Sequence, residues 1–208
     1  MFPSTYLGVR PYREVWELQE QRRAAILAGK EEGILYLLQH PPTITLGRGE
    51  KGTNLLYPTE ELKKQGFDVV ETNRGGMVTY HGPGQLIAYP VFDLRKLHKG
   101  VKQFVDGLER TMIGCLARIG ISAHQRKGYI GTWVGEKKIG AIGIHVRRQV
   151  SIHGLALNVA TNLDHFNVIT ACGIEGIRLT SVQKEGVSRD VPGILEPFLE
   201  AFTEVFGA

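Results

Sequence analysis

The chain lacks several features that would assign a protein to a specialised class. It has only two cysteines in 208 residues, Cys115 and Cys172, and no C-x-x-C pair. This argues against a structural zinc site and against a secreted disulfide scaffold. No apolar run approaches the ~18 residues of a membrane span, and residues 1–9 lack the basic start and apolar core of a signal peptide. We therefore expect a cytoplasmic protein that uses no membrane.

Common nucleotide-binding and metal-binding motifs are absent as well. There is no G-x-x-x-x-G-K-[ST] phosphate loop and no strand-linked G-x-G-x-x-G fingerprint. The carboxylates form neither the close pair of glycoside hydrolases nor a metal-ligand spacing. These absences argue against a P-loop ATPase and a Rossmann enzyme, and we expect no cofactor and no metal.

Charge is also present only in moderation. The net charge of +4 favours anionic ligands or acidic protein partners. No stripe of lysine and arginine is interleaved with aromatic residues, which argues against nucleic acid as a partner. The 26 glycines, by contrast, are many for this length, and they suit a loop-rich protein whose backbone lies close to a ligand.

Hydrophobic spacing predicts alternating helices and strands with no linker between them. Helices are predicted at residues 11–28, 58–65, 101–119 and 191–206. Strands are predicted at 34–39, 43–46, 67–70, 86–91, 129–134, 138–146 and 150–159, with a short strand around Val78 and Tyr80 and a loop over 162–176. The length suits one α+β domain over residues 1–208, with enough chain to bury a large core.

The rest of the chain is organised around residues 74–86, which read R-G-G-M-V-T-Y-H-G-P-G-Q-L. Glycine allows the backbone to approach a ligand closely and to adopt positive φ. A plain hairpin with glycine turns would explain any one of these glycine pairs. The combination of an arginine, a histidine and four glycines in so short a stretch favours a ligand-binding loop.

Cys172 is the first candidate for chemistry, because it lies in the predicted loop outside any periodic pattern. Cys115 falls on the apolar stripe of the 101–119 helix and is expected to be a buried core thiol. A thiol reacts as the thiolate, which a nearby cation favours. Residue types leave the partner open among His81, His153 and Lys138, with Lys137 expected to point to the opposite face of the strand.

Four blocks resemble a known family, the octanoyl-[acyl-carrier-protein]:protein N-octanoyltransferases, also called lipoyl(octanoyl) transferases. They are residues 74–86, then K-I-G-A-I-G at 138–143, H-G-L-A-L-N at 153–158 and A-C-G-I at 171–174, in family order. The resemblance spans about residues 35–182. It implies an α+β fold with a mixed sheet and flanking helices, like the catalytic domain shared by biotin protein ligases and lipoate protein ligases.

The resemblance also implies a reaction and a set of site residues. An octanoyl chain would move from acyl carrier protein to a lysine of lipoyl domains in 2-oxoacid dehydrogenase complexes and of the glycine-cleavage H protein. Cys172 would carry the chain as a thioester, and Lys138 would favour its thiolate and assist proton transfer. The acyl substrate would bind Arg74, Gly75, Gly76, Met77, Val78, Thr79, Tyr80, His81, Ala141, Ile142, Gly143, Gly154, Leu155 and Ala156.

Backbone N–H groups near Gly75, Gly76, Ile142 and Gly143 are candidates for stabilising the oxyanion of such a transfer. Three other functions compete with this interpretation. They are an ATP-dependent lipoate or biotin ligase, a binding module for acyl carrier protein or lipoyl domains without activity, and a cysteine hydrolase. The A-C-G-I block argues against the ligase.

Overall fold

The computed structural model describes residues 2–50, 54–174 and 176–207. Its helices are α1 (Tyr12–Leu27), α2 (Thr59–Lys64), α3 (Val101–Arg118) and α4 (Leu195–Phe206). Its strands are β1 (Ser4–Val9), β2 (Ile34–Gln39), β3 (Thr43–Leu46), β4 (Asp68–Glu71), β5 (Val78–His81), β6 (Gln85–Val91), β7 (His124–Arg126), β8 (Tyr129–Val134), β9 (Lys137–Arg147), β10 (Val150–Asn158) and β11 (Arg178–Leu179).

Eight of these strands form the main sheet, in the order β1-β2-β6-β10-β9-β8-β7, with β11 pairing to β9. The β1–β2 and β9–β11 pairs are parallel, and the other pairs are antiparallel. Apolar residues of α1 cover one face, and those of α3 and α4 cover the other, including Phe104, Phe198 and Phe202. The expected mixed sheet with flanking helices is therefore confirmed.

A second sheet of three strands, in the order β4-β3-β5, packs with α2 around its own apolar cluster. Strand β5 pairs with β3 rather than with β6. The Gly82-Pro83-Gly84 turn therefore does not close a hairpin but carries the chain from the small sheet to the main one. Gly84 has a φ of +80°, and a Cβ there would lie 2.4 Å from the carbonyl oxygen of Ala160, so only glycine fits.

The sequence prediction missed three short or edge strands, β1, β7 and β11. Several of their side chains are exposed, so burial imposes little hydrophobic alternation on them. The predicted 162–176 loop contains two 3₁₀ segments, Leu163–Val168 and Ala171–Gly173. Within the described ranges, no helix combines the length and apolar character needed to cross a membrane.

Candidate active site

A cavity of about 500 Å³ lies between the glycine-rich loop, β9 and β10. Of the substrate-binding residues implied by the resemblance, all but Tyr80 line it, and so do Cys172 and Lys138. Nine further lining residues are not among the implied substrate ligands: Tyr12, Tyr89, Val105, Gly128, Tyr129, Ile130, Ile144, His153 and Ile174. Among the described residues that line the cavity, Arg74 and Lys138 are the only arginine and lysine, and none is an aspartate or a glutamate.

Cys172 and Lys138 meet at the wall of this cavity although 34 positions separate them. Lys138 Nζ lies 3.5 Å from Cys172 Sγ and donates a second hydrogen bond, of 2.8 Å, to the Ile130 carbonyl. The ammonium also lies 5.6 Å from the centre of the Trp133 ring. Lys138 is only 5% exposed, so its charge acts on the thiol with little screening by water. Lys137 points elsewhere and pairs with Glu185, as strand alternation predicts.

The backbone at Cys172 is held in an unusual conformation. Its φ is 58° and its ψ is 13°, the left-handed region that costs a non-glycine residue about 1–2 kcal/mol. The following glycine is also left-handed, and a Cβ there would lie 3.1 Å from Met77 Cγ. Such strained residues concentrate at functional sites, and here the conformation puts a half-buried thiol at the cavity.

The second cysteine has a different environment. Cys115 is fully buried in the main core, and burial raises the pKa of its thiol to about 12. A thiol that stays protonated and shielded is a poor nucleophile. The expectation that Cys115 is a core residue is therefore confirmed.

Arg74 fastens the glycine-rich loop to the small sheet. Its guanidinium donates to Thr45 Oγ1 at 3.0 Å and to the Thr45 carbonyl at 2.6 Å, and to the Gly75 carbonyl at 3.0 Å. Burial lowers the pKa of Arg74, whereas its charge interactions with Tyr12 and Cys172 act in the opposite direction. Arg74 is thus a second cation at the wall of the cavity that Cys172 also lines.

The model of the lipoyl protein ligase A/B catalytic domain matches residues 11–203 of this chain. The chain belongs to this family. An octanoyltransferase of Thermoanaerobacter sp. (strain X514) is 46% identical over 202 residues, which cover 97% of this chain and 88% of that protein. An octanoyltransferase of Desulfovibrio desulfuricans is 42% identical, covering 96% and 85%. With these relatives, the chain is an enzyme of the acyltransferase class.

Solved structures of related folds agree with the architecture. Lipoate-protein ligase A bound with ATP superposes with a TM-score of 0.79 at 18% identity, covering 99% of this chain and 85% of that one. Biotin protein ligase from Aquifex aeolicus gives a TM-score of 0.58 at 14% identity, covering 100% and 70%. These similarities confirm the fold that the resemblance implied.

In this member of the lipoyl protein ligase A/B family, histidines and tyrosines form a buried network beside the cavity. His153 Nε2 lies 2.6 Å from Asn73 Oδ1, which can only accept, so this nitrogen carries the proton. His153 Nδ1 then accepts from the Tyr12 hydroxyl at 3.2 Å. Both ring nitrogens are occupied, and burial lowers the pKa of His153 to about 3. His153 is thus poorly suited to deprotonate a thiol.

His81 lies in the same network and lines the cavity. Its Nδ1 donates to Gln85 Oε1 at 2.8 Å, since the Gln85 amide nitrogen donates to Asn158 Oδ1. Burial, followed by the charge of His40, lowers the pKa of His81 well below its ordinary value. A neutral His81 therefore presents Nε2 as a hydrogen-bond acceptor, and the geometry favours Lys138 as the partner of Cys172.

These buried histidines predict that the fold loses stability as the pH falls. Burial lowers the pKa of His40 from 6.5 to about 4 and that of His153 from 6.5 to about 3. Below pH ~6.5 these histidines bind protons in the unfolded chain but stay neutral in the folded chain. Each of them therefore lowers the free energy of unfolding by up to about 1.4 kcal/mol for every pH unit of acidification. Urea unfolding at pH 7, 6 and 5 measures this slope.

The matched control for that slope is His124→Gln, because His124 is exposed. It is expected to leave the slope unchanged, whereas His40→Gln is expected to reduce it. A free energy of unfolding that stays constant from pH 7 to pH 5 would contradict the prediction.

Two predicted groups take structural roles. The Tyr80 side chain is fully buried in the small sheet's core, where its hydroxyl lies 2.7 Å from His165 Nδ1. The Gly75 N–H donates to the Ile144 carbonyl at 2.9 Å and is therefore not available to an oxyanion. Tyr80 thus packs within the apolar cluster of the small sheet, and Gly75 ties the glycine-rich loop to β9 of the main sheet.

Proposed function

We propose that the chain transfers an octanoyl group from octanoyl-acyl carrier protein to a lysine of lipoyl domains, including those of 2-oxoacid dehydrogenase complexes and the glycine-cleavage H protein. Residues 1–208 would act as a single catalytic domain in the first step of lipoate assembly on protein. The observation that carries the proposal is the 3.5 Å contact between Lys138 Nζ and Cys172 Sγ at a cavity wall. It occurs in a chain 46% identical to an octanoyltransferase.

In the first step, the Cys172 thiolate attacks the carbonyl carbon of the donor thioester. A new carbon–sulfur bond forms at Cys172, the bond to the carrier thiol breaks, and the leaving carrier thiolate takes a proton from the Lys138 ammonium, which becomes a neutral amine. One thioester replaces another, so this step needs no ATP. The Lys138 ammonium, which donates a hydrogen bond to Cys172 Sγ, favours the thiolate before attack.

In the second step, the neutral amine of an acceptor lysine attacks the Cys172 thioester. A carbon–nitrogen bond forms, the bond to Cys172 Sγ breaks, and the acceptor amine gives a proton to the neutral Lys138 amine, which restores the ammonium beside the thiolate. An amide is more stable than a thioester, so the transfer runs downhill. Lys138 again stabilises the leaving thiolate through its contact with Sγ.

The cavity suits an acyl chain because apolar side chains contribute much of its lining, among them Met77, Val78, Ile142, Ile144 and Leu155. An eight-carbon chain offers about seven methylene-sized groups, each worth roughly 0.8 kcal/mol when buried. Burial of this size would select for the chain. The net charge of +4 suits an acidic carrier protein and would act mainly on the encounter rate.

The proposal is tested by intact-protein mass spectrometry after mixing the protein with octanoyl-acyl carrier protein in the absence of ATP. We expect one octanoyl adduct, which a lipoyl domain then removes as it becomes octanoylated itself. Adduct and product that appear only with free octanoate and ATP would support a ligase. Release of octanoate faster than transfer would support a hydrolase, and no adduct under either condition would support a binding module.

A further inference from the structure

A buried carboxylate outside the cavity is linked to Lys138 by two hydrogen bonds that share one peptide group. Glu109 lies on α3 and is 8% exposed. Its Oε1 accepts a hydrogen bond of 2.7 Å from the backbone N–H of Gly131. The carbonyl of the same peptide group, that of Ile130, accepts the 2.8 Å hydrogen bond from Lys138 Nζ.

This peptide group lies outside the regular pairing of its strand. Neither Ile130 nor Gly131 has a partner in the β7–β8 register, which shifts at this point. The N–H and C=O of a trans peptide point in opposite directions. Glu109 on one side therefore sets the direction of the carbonyl that faces Lys138 on the other.

Close packing makes this arrangement sensitive to the position of the peptide. Gly131 has a φ of +126°, and a Cβ there would lie 2.6 Å from Lys138 Cε and 2.4 Å from the Gly140 carbonyl oxygen. The backbone at Gly131 thus touches the lysine side chain directly. A shift of this segment would move the ammonium relative to Cys172.

We propose that Glu109 is a positioning residue, which holds the Ile130–Gly131 peptide so that the Lys138 ammonium stays beside Cys172. The inference rests on the proposed function, in which that ammonium activates the thiol. The carboxylate also polarises the peptide, which strengthens the carbonyl as an acceptor for the ammonium. A second hydrogen bond, of 2.8 Å from Gln125 Nε2, fixes the other carboxylate oxygen.

Two other charged groups border this arrangement. Asp106 accepts from the same Gln125 amide at 2.8 Å. The Arg126 guanidinium lies 4.9 Å from the centre of the Trp133 ring, which also contacts the Lys138 ammonium. Both charges remain in Glu109 variants, so a change in those variants reports on Glu109 itself.

The test measures alkylation of Cys172 by iodoacetamide against pH, by peptide mass spectrometry, and needs no acyl substrate. In Glu109→Ala, we expect the midpoint of the profile to rise by about one pH unit and alkylation at pH 7 to slow about tenfold. Glu109→Gln keeps one acceptor oxygen, and its profile is expected to lie between those of Glu109→Ala and the wild type. Octanoyl transfer by the wild type is measured in parallel. A wild type without transfer activity would contradict the proposed function, whereas the alkylation profiles test the role of Glu109.

The decisive comparison repeats Glu109→Ala in a Lys138→Ala background. If Glu109 acts through Lys138, adding Glu109→Ala to the Lys138→Ala variant is expected to change the rate of Cys172 alkylation at each pH by less than about twofold. An equal shift in both backgrounds, or an unshifted profile in folded Glu109→Ala and Glu109→Gln, would overturn the proposal. Glu185→Ala is the matched control: Glu185 binds the neighbouring Lys137, and its loss is expected to leave the profile unchanged.

Discussion

Replacing Cys172 with alanine is expected to abolish octanoyl transfer, with a loss of about 10⁴-fold or more. The substitution removes the only cavity-lining thiol of the described residues, and with it the covalent route. No octanoyl adduct should form on the variant. Transfer to a lipoyl domain, followed by mass spectrometry, measures both results.

Cys115→Ala is the control for that experiment. Cys115 is fully buried in the core between the sheet and α3, so its loss is expected to cost about 1 kcal/mol of stability and to leave the transfer rate near that of the wild type. Equal loss of activity from both substitutions would remove Cys172 from the role of nucleophile. A fully active Cys172→Ala variant would do the same.

Lys138→Ala is expected to slow acylation of Cys172 by about 10²–10³-fold, because a buried cation beside the sulfur disappears. The difference in acylation rate between Lys138→Ala and the wild type should become smaller as the pH rises, because hydroxide then forms the thiolate without the lysine. Lys138→Met, which keeps most of the side-chain volume, should behave similarly and separates loss of charge from loss of packing. Rates of adduct formation between pH 6 and pH 9 measure both effects.

The neighbouring Lys137 offers a matched control on the same strand. Its ammonium pairs with Glu185, away from the thiol, so Lys137→Ala is expected to keep acylation within about threefold of the wild type. Equal rates for Lys137→Ala and Lys138→Ala would remove Lys138 from the mechanism.

The spacing of hydrophobic residues along the sequence is enough to predict many of the helices and strands. The predicted helix at 101–119 corresponds to α3 at Val101–Arg118, and the predicted strand at 34–39 to β2 at Ile34–Gln39. The helix buries one apolar face and the strand buries a continuous apolar run, so in both cases burial leaves a regular pattern of hydrophobic residues in the sequence. The four sequence blocks likewise pointed to Cys172, Lys138 and the glycine-rich loop as candidates, and the structure brings these residues together at one cavity.

Other features depend on contacts between distant parts of the chain. Tyr12 and Tyr89 line the cavity, yet each lies on an ordinary helix or strand whose local pattern does not show which face meets a ligand. Tyr80 sits within a predicted binding block, but the pairing of β5 with β3 turns its side chain into the small sheet's core. Strand alternation settles such orientations only once the partner strand is known.

Residue identity and local periodicity were enough to indicate the family and the α+β class, and to select Cys172 and Lys138 as candidates for the chemistry. Only the tertiary structure showed which cation reaches the Cys172 thiol, because the 3.5 Å contact joins β9 to a 3₁₀ segment and its two residues are 34 positions apart. The tertiary structure also links Glu109 to that lysine, because both side chains hydrogen-bond to the Ile130–Gly131 peptide group. A carboxylate on a helix has no sequence signal for such a role, since its partner is a backbone N–H that any residue could supply.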